Sequence, residues 1–205
     1  MFPRRMMIVG AIMMLAAAGL FAFAPAMIGE EEADIRSAAR FDGSAGGSFA
    51  PGALVVVEGK ISTKNKTLVH DFVDAAKEHQ VKGGSWSILQ AYRQPVIAEL
   101  SRGEIVLTSE NLCTEAKGNN VLDTDEKSEW GKPVRYTGLR KGDPITAVGT
   151  LTSLSPAALT VKSWYSGSAA EFKDYLASSM KGLRVFCAII AVLGAGLLLL
   201  GFIRR

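Results

Sequence analysis

Leu159–Ile203 reads LTVKSWYSGSAAEFKDYLASSMKGLRVFCAIIAVLGAGLLLLGFI, and its periodicity changes twice. Leu159–Trp164 reads as the last of a series of short strands. Ser168-Ala-Ala-Glu171 is then a capping box. The Ser168 side chain is placed to accept from an orphan amide, and Glu171 reaches back to the Ser168 amide. Phe172, Tyr175, Leu176, Met180 and Leu183 follow at helical spacing, which predicts an amphipathic stalk helix over 168–184. From Val185 to Ile203, 19 residues carry no charge. At a rise of about 1.5 Å per residue, roughly 20 apolar residues cross a ~30 Å hydrocarbon core. The run therefore predicts a transmembrane helix over 185–203, in a tilted setting or a slightly thinned bilayer. Strand, stalk and span in succession predict a β-domain held at a membrane.

The other end of the chain matches. Met6–Ile28, MMIVGAIMMLAAAGLFAFAPAMI, is 23 residues without a charge, behind a short basic N-terminus over 1–5. A cleaved signal peptide is the rival reading, since Ala22-Phe23-Ala24 resembles an A-x-A site. Pro25 would then follow the cut, and the run exceeds a usual signal core, so a retained span over 6–28 is preferred. Arg4 and Arg5 precede it, and Glu30, Glu31, Glu32 and Asp34 follow. Basic residues at span ends stay on the cytoplasmic side. Both termini are expected on the cytoplasmic or matrix side, with residues 29–184 translocated to a periplasm or an intermembrane space.

Composition agrees. The chain has 205 residues, 48% of them hydrophobic and 21% charged, with a net charge of +3 and a mean hydropathy of +0.20. Four of its 23 Lys+Arg are Arg4, Arg5, Arg204 and Arg205, so the rest of the chain is close to neutral against 20 Asp+Glu. That balance argues against a nucleic-acid binder, which needs a basic excess. Small residues recur at four-residue spacing on both spans, as Ala18, Ala22 and Ala26 and as Cys187, Ala191 and Ala195. Such stripes let helices approach closely, either each other or a partner subunit.

The intervening chain suits one domain. Residues 29–52 read as a short polar helix followed by a Gly/Ser linker, DGSAGGSFAPG. Over 53–165 the signals are strands: Ala53–Ser62, Leu68–Val73, Ser85–Tyr92, Val96–Leu100, Glu104–Thr108, Pro133–Thr137, Pro144–Leu151 and Leu159–Trp164. Asp74–Gln80 reads helical by propensity, and Cys113–Glu129 as a polar loop. Many short strands with frequent turn signals predict a mainly β domain, a small antiparallel barrel or sandwich of OB-like type.

Catalytic inventory is thin. Cys113 with His70 or His79 could form a thiol–imidazole pair, but an ordinary half-buried thiol is the plainer reading. Asp123, Asp125, Glu126 and Glu129 could ligate a divalent cation through oxygen, yet no EF-hand register exists and a solvated acidic loop is preferred. No P-loop, GxGxxG or GxSxG motif is present. Asn65-Lys66-Thr67 matches the glycosylation sequon. Trp86, Tyr92, Trp130, Tyr136, Trp164 and Tyr165 read as core and barrel-end packing. The expectation is a non-enzyme without catalytic, cofactor or metal residues.

The order of ALVVVEGKIS, Phe72–His79, the Trp86 strand, PVIAELSRGEIVL, KGDPITAVGTLT and the 159–184 block running into a span resembles the GIDE domain. That domain belongs to membrane-anchored E3 ubiquitin ligases and their shorter bacterial and archaeal relatives. The resemblance covers residues 52–205 and implies a β-rich domain between two spans. The ligases continue into a zinc-binding RING where this sequence stops at Arg205, so no ligase residues carry over.

The functional expectation is a two-span scaffold or accessory subunit of a larger membrane complex, such as a respiratory or photosynthetic assembly. Its partners would be other membrane subunits and the lipid bilayer, not nucleic acid. The alternatives are a ligand- or protein-binding sensor module, or a degenerate relative of the membrane ligases.

Overall fold

A computed structural model describes residues 2–44, 49–109 and 121–203, the side chains of 2–4, 6 and 23–32 excepted. The chain divides into two compact units: a helical one, Met1–Arg36 with Lys173–Arg205, and a β unit, Ser37–Phe172.

Among the described residues the β unit holds ten strands: β1 (Ala39–Arg40), β2 (Leu54–Ile61), β3 (Phe72–Gln80), β4 (Trp86–Tyr92), β5 (Val96–Leu100), β6 (Gly103–Thr108), β7 (Val121–Lys127), β8 (Pro133–Arg140), β9 (Pro144–Leu154) and β10 (Ala157–Tyr165). Five of them close into a barrel. The order runs β2-β5-β6-β10-β9, and β9 pairs back onto β2 from Leu54↔Thr150 to Lys60↔Pro144. All these pairings are antiparallel except β6 with β10, which is parallel at Val106↔Ala158. Alternation turns Val55 and Val57, Val96 and Ala98, Ile105 and Leu107, and Leu159 and Val161 inward, where all are buried. Together with Ile145, Leu151 and Trp164 they fill one continuous core. At about 1.5–3 kcal/mol for each buried aliphatic side chain, this core dominates the β unit's stability. Gly149 sits where β2, β9 and β10 crowd together. A Cβ there would run into the carbonyl oxygen of Thr160, so only glycine lets the barrel close at that corner.

Two hairpin-like excursions leave the barrel. The β3–β4 pair lies between β2 and β5, and β7–β8 lies between β6 and β9; together they form an antiparallel sheet of order β4-β3-β8-β7. Asp74–Gln80, helical by propensity, is therefore the body of β3. It pairs with β4 on one side and β8 on the other, and two ladders outweigh a weak local preference. Only Phe72 and Val73 of the expected strand at 68–73 belong to β3. Within the expected loop Cys113–Glu129, Val121–Lys127 is strand β7, paired with β8. Phe41 and Phe49 flank the Gly/Ser segment; Phe41 is buried and meets Phe49 edge-on at 5.4 Å.

In the helical unit, α1 runs Phe2–Ser37, with a described apolar stretch at Met7–Ala22. The second helix, α2 (Ala169–Ile203), has its first turn in the β unit. Among the described helices α2 is the one long and apolar enough to cross a membrane.

Candidate functional site

Helices α1 and α2 meet at glycine. A Cβ at Gly10 would lie 2.6 Å from the Gly194 carbonyl oxygen, and one at Gly194 would lie 3.0 Å from that of Gly10. The two backbones are thus in contact, which a side chain at either position would prevent. Gly10 and Ala17 on α1, and Cys187, Gly194 and Gly201 on α2, are buried at seven-residue spacing. Four-residue counting finds Cys187 and overlooks the other four; a heptad count on the two apolar runs picks them out. Of the expected stripes, Cys187 is buried, Ala191 and Ala195 are half-buried, Ala18 and Ala22 are exposed, and Ala26 lies outside the described side chains. Ala18, Cys187 and Ala191 do come together, lining an open apolar groove with Met14, Ala17 and Phe21.

Ser168 and Glu171 form both hydrogen bonds of a capping box. The Ser168 N–H donates to Glu171 Oε2 at 2.9 Å, and the Glu171 N–H donates to Ser168 Oγ at 3.3 Å. Beside the cap, the rings of Tyr165 and Phe172 stack at 5.0 Å, tying the last strand to the first helical turn.

The densest group of ionisable and aromatic side chains lies on one face of the four-stranded sheet. Lys77 of β3 reaches across β8 to Glu126 of β7, donating at 2.6 Å, and passes 5.6 Å from the Tyr136 ring centroid. The Tyr136 hydroxyl lies 3.3 Å from both Glu126 oxygens. His70 meets Tyr136 edge-on at 4.6 Å, and Tyr92 stands 6.4 Å away. His70 has a φ of 49°, the left-handed region that a histidine seldom occupies. The hydrogen bond from Lys77 holds the Glu126 carboxyl below its usual range and raises Lys77 in return. Burial pushes the Tyr136 phenol up, against the opposing pull of Lys77. Each group is thereby fixed in the state that bonds its neighbours: ammonium, carboxylate and neutral phenol. This arrangement binds three strands, β3, β8 and β7, together.

The remaining candidates disperse. His79 packs on Trp130, its ring 4.9 Å away, while His70 packs on Tyr136. Cys113 lies outside the described residues. Among those that are described, no three His, Cys, Asp or Glu side chains converge on a metal position. Of the acidic stretch, Glu126 is taken up by Lys77. Trp164, Tyr136 and Tyr165 are buried, whereas Trp130 is 59% exposed. Trp86 carries the Arg135 guanidinium 4.2 Å above its ring.

The sequon asparagine is occupied by the fold. Asn65 is 4% exposed. Its amide nitrogen donates to the carbonyls of Ser62 and Ile97, at 2.9 and 2.7 Å, and its oxygen accepts from the Ile97 N–H at 2.8 Å. The side chain imitates a strand partner for β5 where β2 has ended, so its nitrogen is closed to glycan transfer in the folded domain.

No family model, curated protein or solved structure matches the chain.

Proposed function

We propose that the protein is a non-enzymatic, two-span membrane protein whose β-domain serves as a scaffold or accessory subunit of a larger membrane complex. One observation carries this reading. Among the described residues, the large apolar side chains that remain exposed belong to α1 and α2, Ile88, Leu89 and Trp130 excepted. A helical pair sealed by glycine on its inner face and covered by Ile, Leu, Val and Phe on its outer face has lipid as its natural solvent. For the first span, the uncharged run Met6–Ile28 extends the shorter described stretch to a spanning length. The arginine distribution supports termini on the cytoplasmic or matrix side.

The barrel's connectivity, with sequential strands β2, β5 and β6, then β10 parallel to β6 and β9 closing onto β2, supports an OB-like reading. The two excursions are insertions into it. Membership of the GIDE family is likewise our reading, supported by the order of strands, capped helix and apolar run.

Native electrophoresis after mild detergent extraction tests the function. The expected outcome is co-migration with other membrane subunits, identified by mass spectrometry of the band. Particles containing this chain and no other would remove the accessory-subunit reading.

A further inference from the structure

One groove of the helical unit ends in a charge. Met14, Ala18 and Phe21 of α1 line it with Ala188 and Ala191 of α2, and Arg184 stands at one end. The rest of its lining is apolar. Arg184 is exposed and, among the described residues, has no ion pair. It is the last charged residue before the uncharged run Val185–Ile203, and Lys181 precedes it by one turn. At that spacing the two cations share a helix face. A second groove between the same helices, lined by Met7, Ala195 and Phe202 among others, has no charged residue in its lining.

We propose that the Arg184 groove binds one phospholipid of net negative headgroup, its phosphate on Arg184 and one acyl chain against Ala18, Ala188 and Ala191. The inference rests on the reading of α1 and α2 as membrane spans. In that setting Arg184 lies where the uncharged run begins, at the depth of the lipid headgroups. A guanidinium there is answered by a phosphate through paired, charge-assisted hydrogen bonds. The apolar groove leads from it directly into hydrocarbon, so cation and apolar slot follow in the order of a lipid's head and tail. Lys181 decides the headgroup. The ammonium of a zwitterionic lipid would be repelled by this second cation, whereas a net negative head complements both. A third helix fits only part of the groove. About 10–12 Å across with its side chains, it would ride on the exposed Met14 and Phe21, and it would need an acidic side chain at headgroup depth to satisfy Arg184.

The test uses the full chain in mild detergent, offered phosphatidylglycerol and phosphatidylcholine of identical acyl chains and read by native mass spectrometry. One retained phosphatidylglycerol per chain is expected, because the second groove has no cation to hold another. Its preference over phosphatidylcholine should be at least about fivefold, the ratio one basic residue contributes at an anionic headgroup. Arg184→Gln together with Lys181→Gln should abolish the preference, and Lys173→Gln, about 16 Å further along α2, should keep it. Ala188→Phe, at an exposed position, fills the groove and should remove the retained lipid. Equal retention of the two lipids overturns the site, as does a preference that survives the double substitution or a lipid that survives Ala188→Phe. Displacement by inorganic phosphate marks a bare anion site and also overturns it. In native membranes a photo-crosslinker at Ala188 should label phospholipid; labelling of another polypeptide gives the groove to a partner helix instead. The spans are tested separately. A chain released from membranes by alkaline carbonate removes the two-span reading, whereas one that stays embedded and retains no lipid removes this site alone.

Discussion

Asn65 shows how much a single side chain does here that its motif conceals. The triplet Asn65-Lys66-Thr67 advertises a modification site, yet burial and three hydrogen bonds make the asparagine part of the sheet. Asn65→Ala strands the Ile97 N–H, while the Ile97 carbonyl keeps the Ser62 N–H at 2.9 Å, so at ~1–3 kcal/mol for an unpaired buried group the loss should be about 1–3 kcal/mol. Asn65→Asp keeps the acceptor for the Ile97 N–H but turns a buried carboxylate oxygen toward the Ser62 and Ile97 carbonyls, so its loss at neutral pH should be at least as large as that of Asn65→Ala. Urea unfolding followed by tryptophan fluorescence checks both. Asp143 supplies the pH dependence. Burial holds its carboxyl above the ordinary value, outweighing the 2.6 Å hydrogen bond from the Arg140 N–H and the Arg140 charge. The folded state then keeps this proton to higher pH than the unfolded chain. Its contribution to stability is full at low pH and is lost as pH rises through the carboxyl range. Asp143→Asn retains an acceptor and abolishes the titration. Its stability relative to wild type should therefore climb between about pH 3 and about pH 6. A flat or falling difference would contradict the assignment.

At the scale of elements, the legible strands were those whose residues face one core. β2, β5 and β6 are runs of β-branched and apolar residues whose burial alternates, because one side of each looks into the barrel. β3 was illegible for a physical reason. Its DAAKEHQ segment has strong helix formers, and its strand state comes from β4 and β8, which lie elsewhere in the sequence. β7 was hidden by its charges, which suit a loop as well as a sheet margin. The helices show the converse: their apolar character was plain, but the contact residues were not. Alanine at four-residue spacing drew attention, while the backbones meet at Gly10 and Gly194, within a seven-residue pattern. Gly10→Leu should push the helices apart by roughly 2 Å, toward the 8–10 Å separation of ordinary helix pairs. Spin labels at the exposed positions Ile12 and Val192 would report this as a longer distance. Leucine at Gly182, where a Cβ would meet nothing within 4 Å, should leave the distance unchanged.

For the whole molecule, net charge and mean hydropathy are averages over two unlike parts, and on the proposed reading each part answers to a different solvent. The β unit, Ser37–Phe172, holds its own continuous core, and the helical unit holds its own glycine contact. Trp86, Trp130 and Trp164, the three tryptophans of the chain, all lie in the β unit, whereas α1 and α2 dominate the helical ellipticity. The two signals therefore report separate parts of one chain. Coincidence of probes is the mark of a single cooperative transition. In detergent, urea should abolish the tryptophan signal of the folded β unit while most helical ellipticity persists, because each apolar helix satisfies its backbone internally and stays solvated by the micelle. Leu159→Ala makes the comparison decisive. Leu159 is 1% exposed in the barrel core, and such a truncation costs about 2–5 kcal/mol. With a urea dependence of about 1–3 kcal/mol/M, the fluorescence midpoint should fall by roughly 1–2 M while the ellipticity profile stays in place. Equal movement of both profiles would mean that barrel and helices unfold as one body, and that the helical pair draws its stability from the β unit instead of from its own contact and its lipid.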